Sequence, residues 1–155
     1  DEINGDLLRD KRYIEKLSAA FPLVVKDGKV DKAALREEVF SNEEKRKTLN
    51  ALAHPEIRRK IEEITGDAVV EVPLLFESGM TDLFDKVIVV TAGEDARINR
   101  IVSTRNISKD LAKNIIKNQT TDDERIKRAD YVAINDGTRK DLYEQAKTII
   151  KRIFE

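Results

Sequence analysis

The stretch Ala68-Val69-Val70-Glu71-Val72, continued by Pro73-Leu74-Leu75-Phe76-Glu77-Ser78-Gly79, decides how the fold is read. It opens with β-branched residues that do not alternate with polar ones, the pattern of a strand buried on both faces in a parallel sheet. Lys86-Val87-Ile88-Val89-Val90-Thr91 repeats that pattern. Tyr131-Val132-Ala133-Ile134 supplies a third run, closed by the turn signal Asn135-Asp136-Gly137. Between these runs the spacing predicts helices over residues 94–103, 108–118 and 122–128. Thr138 is placed to cap a last helix with Leu142, Ala146, Ile149, Ile150 and Ile153 on one side. Strands alternating with helices predict a doubly wound parallel α/β sheet, whose ligands bind beyond the carboxyl ends of the strands.

Upstream of that stretch, roughly the first 65 residues read as mostly helical. Leu7, Leu8, Ile14, Leu17 and Ala20 recur at three- and four-residue steps, predicting one amphipathic helix over residues 6–20 that ends before Pro22. The chain then turns at Asp27-Gly28, and Asp31 can cap a helix bearing Ala34, Leu35 and Val39. Ser41-Asn42-Glu43-Glu44 has capping-box spacing ahead of a helix through Leu49 and Leu52. His54-Pro55 is expected to interrupt it, with a new helix running from Glu56 to Ile64 and a stop at Gly66.

Composition narrows the function classes. With 155 residues, 40% of them apolar, the chain can bury one sizeable core, so one compact domain with at most a small subdomain is expected. Lys and Arg total 29 against 30 Asp and Glu, a net charge of −1, which argues against binding nucleic acid or a membrane surface through overall charge. Any anion site must be local. Without cysteine the chain has no disulfide, thiolate metal site or cysteine nucleophile, and its single His makes no zinc cluster alone. No apolar run approaches the roughly 20 residues that cross a bilayer. The start Asp1-Glu2 lacks the basic-then-apolar order of a signal peptide, so a soluble cytoplasmic protein is expected.

Four places carry candidate chemistry. Pro73 supplies no ladder donor, so it ends the first strand and aims Leu75, Phe76 and Glu77 at the crevice beyond the strand's carboxyl end; the alternative is a hydrophobic plug with Glu77 in solvent. Arg97, Arg100, Arg105, Arg125 and Arg128, with Gln119, cluster on helical stretches of an otherwise balanced chain. A planar guanidinium donates two bonds to one phosphate and offsets charge on a migrating phosphoryl group, although a solvated helix face has the same composition. His54 reads either as a cap or packing residue at a helix junction or as a catalytic base. Asn135 and Gly137, at the end of the last strand, read as a turn or as a loop that holds a nucleotide base.

In order and spacing these segments resemble dephospho-coenzyme A kinase. The residues that carry the resemblance are Asp31-Lys32-Ala33-Ala34-Leu35-Arg36 with Val39-Phe40, then Leu49-Asn50-Ala51-Leu52-Ala53-His54-Pro55, then Val72-Pro73-Leu74-Leu75-Phe76-Glu77. Asp85-Lys86-Val87-Ile88-Val89-Val90 follows, then Arg100, Arg105, Ser108, Ala112 and Gln119, and finally Arg125 to Asp130, Tyr131-Val132 and Asn135-Asp136-Gly137-Thr138. The resemblance implies a P-loop kinase fold: a parallel sheet flanked by helices, an acceptor-binding helical region over about residues 1–65, and a lid over about residues 97–125. It implies transfer of phosphate from ATP to the ribose 3′-hydroxyl of dephospho-coenzyme A, with Mg²⁺ bridging the phosphates. Asp1 looks like the family's acid that takes the proton of that hydroxyl, and Arg100 and Arg105 join it as catalytic candidates. His54, Leu75, Phe76 and Glu77 would line the acceptor pocket, while Arg97, Arg125, Asn135 and Gly137 would bind the nucleotide. No residue is assigned to the metal. The partners implied are dephospho-coenzyme A and ATP, with no nucleic acid, membrane or obligate protein partner.

Two departures from the family pattern matter. Thr104 stands where a lid arginine is expected, with Arg105 one residue later. No G-x-x-x-x-G-K-[ST] loop occurs, and that loop supplies backbone donors, a Lys and a Mg²⁺-binding hydroxyl to the phosphates. Its strand lies mid-sheet in the family, so without it residues 68–72 are separated from residues 86–91 and both edges are exposed. These residues are therefore expected to be part of a longer kinase and inactive alone; the alternative is a non-catalytic or partner-completed dephospho-coenzyme A-binding module. Another small-molecule P-loop kinase fits Pro73-Leu74-Leu75-Phe76-Glu77 and the lid spacing less well.

Overall fold

The computed structural model describes residues 2–40 and 42–155, and the chain divides into two compact units, Asp1–Val70 and Glu71–Glu155. The first unit is helical. Where one helix is predicted over residues 6–20, there are two, α1 (Glu2–Leu7) and α2 (Lys11–Ala20). The break has a local cause: the Asp10 carboxylate accepts from the Tyr13 N–H at 2.9 Å and caps α2. Asp27 (φ 50°) and Gly28 (φ 71°) both adopt left-handed backbone, the geometry that closes a two-residue hairpin between β1 (Val25–Lys26) and β2 (Lys29–Val30). Asp31 caps α3 (Lys32–Phe40), accepting from the backbone N–H groups of Ala33 and Ala34.

The predicted break at His54-Pro55 does not occur. A single helix, α4 (Glu43–Glu62), runs through Pro55, capped by Asn42, whose side chain accepts from the Lys45 N–H. Pro55 has no N–H to offer the carbonyl of Ala51, a defect worth about 3 kcal/mol in a helix interior. Tertiary packing outweighs it: Leu49, Leu52, Ala53 and Ile57 of α4 pack against the buried set Leu7, Tyr13, Leu17, Phe21 and Val24.

In the second unit Pro73 is followed by a left-handed residue, Leu74 (φ 57°), and then one helical turn, α5 (Leu75–Ser78), where a loop is predicted. β3 (Ile88–Thr91) pairs in parallel with β4 (Tyr131–Ile134), in the register Ile88 to Tyr131 through Thr91 to Ile134. The crossover consists of α6 (Glu94–Arg105), α7 (Lys109–Lys117) and α8 (Asp122–Lys127), as the parallel connection requires. The fold is thus mixed α/β and helix-rich, with a parallel β3–β4 pair in the second unit. Val87, Val89, Ala92, Ile98, Ala112, Ala133 and Ile149 are buried in this unit.

Two expectations about strands and faces need correction. Residues 68–72 form no strand, and Val69 is 75% exposed. A strand exists only with a ladder partner, and none pairs with these residues in the structure. The last helix, α9 (Arg139–Phe154), begins at the Thr138 cap as predicted, with a full capping box to Asp141. Its inward side carries Leu142, Gln145, Ile149 and Ile153, whereas Ala146 and Ile150 are exposed. Gln145 turns inward because its amide accepts from the Ile134 N–H and donates to the Ile134 carbonyl, both at 2.9 Å, satisfying backbone groups of β4 that lack a ladder partner. Among the described residues no helix is long and apolar enough to cross a membrane.

Candidate active site

Helix α6 leaves the carboxyl end of β3 and organises the candidate site, because Arg97 and Arg100 project from it one turn apart toward two different groups. Arg97 forms a fork on Asp122, the first residue of α8, with Nη2 to Oδ2 at 2.7 Å and Nη1 to Oδ1 at 3.2 Å. Arg125 donates to the same carboxylate from the next turn of α8. All three side chains are about three-quarters shielded, at 23%, 24% and 23% exposure for Arg97, Asp122 and Arg125. Two guanidiniums therefore converge on one carboxylate, and their Nε atoms are buried without a hydrogen-bond partner.

The α5 turn belongs to the same cluster. Glu77 Oε1 accepts from the Thr120 N–H at 2.7 Å. Partial burial pulls the Glu77 pKa up, but the Thr120 backbone and hydroxyl donors and the nearby Arg125 charge outweigh it, leaving the carboxyl below its ordinary value. The Phe76 ring lies under the Arg128 guanidinium, 4.4 Å from its centroid, in cation–π geometry. Phe76 and Leu75 are half-buried. Glu77 is thus neither loose in solvent nor part of a plain hydrophobic plug: it ties α5 to the entry of α8.

Arg100 reaches the other group. Its Nη2 donates to the Asn135 carbonyl at 2.8 Å, in the loop after β4. Asn135 N–H donates to the Thr91 carbonyl at 2.7 Å, and Asp136 Oδ1 accepts from the Gly93 N–H at 2.7 Å, so the loops leaving β3 and β4 are bound to each other. Gly137 stands where a Cβ would lie 2.7 Å from Asp141 Oδ2, the carboxylate of the α9 capping box.

The structure thus brings Phe76, Glu77, Arg97 and Arg125 into one cluster and joins Arg100 with Asn135 in another, α6 being common to both. Arg105 ends α6 and is exposed, and no hydrogen bond ties it to either cluster. His54 sits within α4, half-buried, in the other unit. Asp1 lies outside the described residues. Two participants escaped the sequence reading, Thr120 and Asp122, whereas Asp136 stood within the Asn135-Asp136-Gly137 turn already singled out. Asp122 carried a signal, standing three residues before Arg125, but in Asp122-Asp123-Glu124 it reads as an ordinary acid of a helix's first turn. Among the described residues no group of three or more His, Asp or Glu side chains is arranged to hold a metal ion.

Comparison with known proteins identifies the family. The family model described as dephospho-CoA kinase matches residues 7–141. The dephospho-CoA kinase of Fusobacterium nucleatum is 35% identical over 160 aligned positions, covering 99% of this chain and 83% of the relative. That of Geobacillus kaustophilus is 38% identical over 134 positions, covering 81% and 67%. Among solved structures, the Campylobacter jejuni dephospho-CoA kinase superposes with a TM-score of 0.67 at 30% identity, over 97% of this chain and 80% of that one. A Thermus thermophilus protein superposes with a TM-score of 0.74 at 29% identity, over 97% and 82%. With a parallel β3–β4 pair, a helical crossover bearing the arginines, and a family match spanning most of its length, the chain belongs to the dephospho-CoA kinase family.

Proposed function

We propose that these residues form the acceptor and lid sides of an enzyme that transfers the γ-phosphoryl group of ATP to the ribose 3′-hydroxyl of dephospho-coenzyme A, completing coenzyme A. The observation that carries this reading is the convergence of Arg97 and Arg125 on a single anion beside the Glu77–Thr120 tie. Phosphoryl transfer asks little of a protein beyond positioning and offsetting negative charge, and a pair of shielded, convergent guanidiniums supplies both. In the reaction the 3′-oxygen attacks the γ-phosphorus, the bond to the β–γ bridging oxygen breaks, and the hydroxyl proton leaves to a base. Asp1 is our candidate for that base by its place in the family pattern. Arg97 and Arg125 hold the phosphates, Arg100 and Arg105 act on the migrating group from the lid, and Asn135 and Gly137 border the adenine. Leu75, Phe76 and Glu77 receive the acceptor. Mg²⁺ would offset charge on the phosphates when bound.

The 155 residues contain no G-x-x-x-x-G-K-[ST] loop. By themselves they are expected to bind dephospho-coenzyme A and not to convert it, while coenzyme A forms from ATP, Mg²⁺ and dephospho-coenzyme A once such a loop is supplied. Calorimetric titration of the chain with dephospho-coenzyme A, followed by a kinase assay with the loop present, tests both statements. A flat titration removes the acceptor site, and absent turnover removes the kinase. The second reading, a binding module completed by a partner, is favoured by one observation: Val90 and Ile134, on the two paired strands, are 55% and 53% exposed. Binding without turnover even when the loop is present would select it.

A further inference from the structure

We propose that Asp122 is a built-in occupant of the phosphate-binding arginines, a carboxylate that pairs with Arg97 and Arg125 in the absence of nucleotide and must give way when a phosphate chain arrives. The inference rests on the assignment of those two arginines to the nucleotide and adds a residue that sets how tightly they take it. The geometry is that of an anion site already filled. Arg97 presents its fork to both Asp122 oxygens, at 2.7 and 3.2 Å, and Arg125 donates to one of them. A carboxylate and a phosphoryl group accept the same bidentate fork, so they compete for the same donors. Without Asp122 the two cations would repel each other across a partly shielded gap. With Asp122 both are held on one carboxylate, ready for a larger anion.

The competition has an energetic direction. Phosphate brings more negative charge than one carboxylate and more acceptor oxygens, so it wins the guanidiniums, but Asp122 then lies beside a like charge. Relief requires the carboxylate to swing away. Asp122 is the first residue of α8, and the Thr120 N–H just before it holds Glu77 of the acceptor turn, so movement of Asp122 is transmitted to the acceptor side. Nucleotide affinity is therefore lowered by an internal competitor, and nucleotide arrival is coupled to the position of α8.

The test uses the 155-residue chain with tripolyphosphate and with ATP as separate titrants, followed by NMR of the arginine Nε–Hε signals. In the wild type both ligands are expected to shift Arg97 and Arg125 at millimolar concentration. Asp122→Asn and Asp122→Ser should reach half-saturation at about tenfold lower ligand, a gain that shrinks at high salt because it is electrostatic. Two variants are used because Asn and Ser perturb the start of α8 in different ways. Equal or weaker binding by both overturns the proposal, leaving Asp122 a positioning residue only. Arg97→Gln and Arg125→Gln separate the two assignments. If they abolish binding while the Asp122 variants do not strengthen it, only the competitor role falls; if they leave binding unchanged, or if no variant responds at all, the phosphate assignment and this inference fall together.

Discussion

Glu77 is an exposed carboxylate whose charge is nonetheless spent on one specific donor, the Thr120 N–H. A hydrogen bond to a charged acceptor in such a setting is worth about 1 kcal/mol net, so Glu77→Ala should lower the stability of the second unit by about that amount, read from denaturant midpoints. The pH dependence has a definite sign. The folded carboxyl lies below its ordinary value, so the bond's contribution is complete above the unfolded pKa, about 4.3, and is lost as pH falls through the folded one. The Thr120 amide resonance should therefore stay constant from neutrality to about pH 5 and move only in more acid solution. A shift centred above pH 5 would contradict the bond. Gly137 is the second residue-scale case: an added methyl meets the Asp141 carboxylate at 2.7 Å and displaces it from the capping box. Gly137→Ala should cost about 1 kcal/mol, the worth of a cap, in thermal unfolding. An unchanged midpoint would mean that Asp141 yields freely.

Individual elements show which sequence signals sufficed. β4 was readable because its β-branched run ends at a turn signal, and α7 and α9 because Ser108 and Thr138 cap them with side-chain oxygens, an interaction complete within four residues. The alternation of strands and helices followed from the same local cues, whereas the arginines by themselves read equally as a solvated helix face. Signals failed where distant residues decide. Pro55 is a sound local reason to end a helix, yet α4 continues because its apolar residues are held by α1, α2 and the segment after them. Asp122 escaped because its role depends on Arg97, twenty-five residues away. The Pro55 case also makes a prediction. Pro55→Ala restores a donor for the Ala51 carbonyl, which should raise stability by about 1–3 kcal/mol after allowing for the freer unfolded chain. Urea unfolding followed by helical circular dichroism measures it, and a lower midpoint would show that the proline ring itself packs usefully.

At the scale of the whole molecule, pattern and structure part at residues 68–72. Their β-branched run has the composition of a buried strand, but strand formation is a property of a pair, and these residues have no ladder partner while Val69 is 75% exposed. The contrast with β3 and β4 is one of hydrogen bonding, since the parallel register from Ile88 to Thr91 satisfies backbone groups that residues 68–72 leave to water. Amide exchange reads this difference directly, because an amide held by a ladder must wait for local opening whereas an unpaired one need not. Amides of residues 68–72 should exchange at rates near those of an unstructured peptide, and those of Val89, Thr91 and Ala133, whose N–H groups face the partner strand, more slowly by orders of magnitude. If a strand that pairs with residues 68–72 is supplied, by a longer polypeptide or by a partner, protection should appear at Val69 and Val70 while β3 and β4 keep theirs. Slow exchange at residues 68–72 in the chain alone would show that they are already paired, and would remove the physical basis for expecting these residues to need completion.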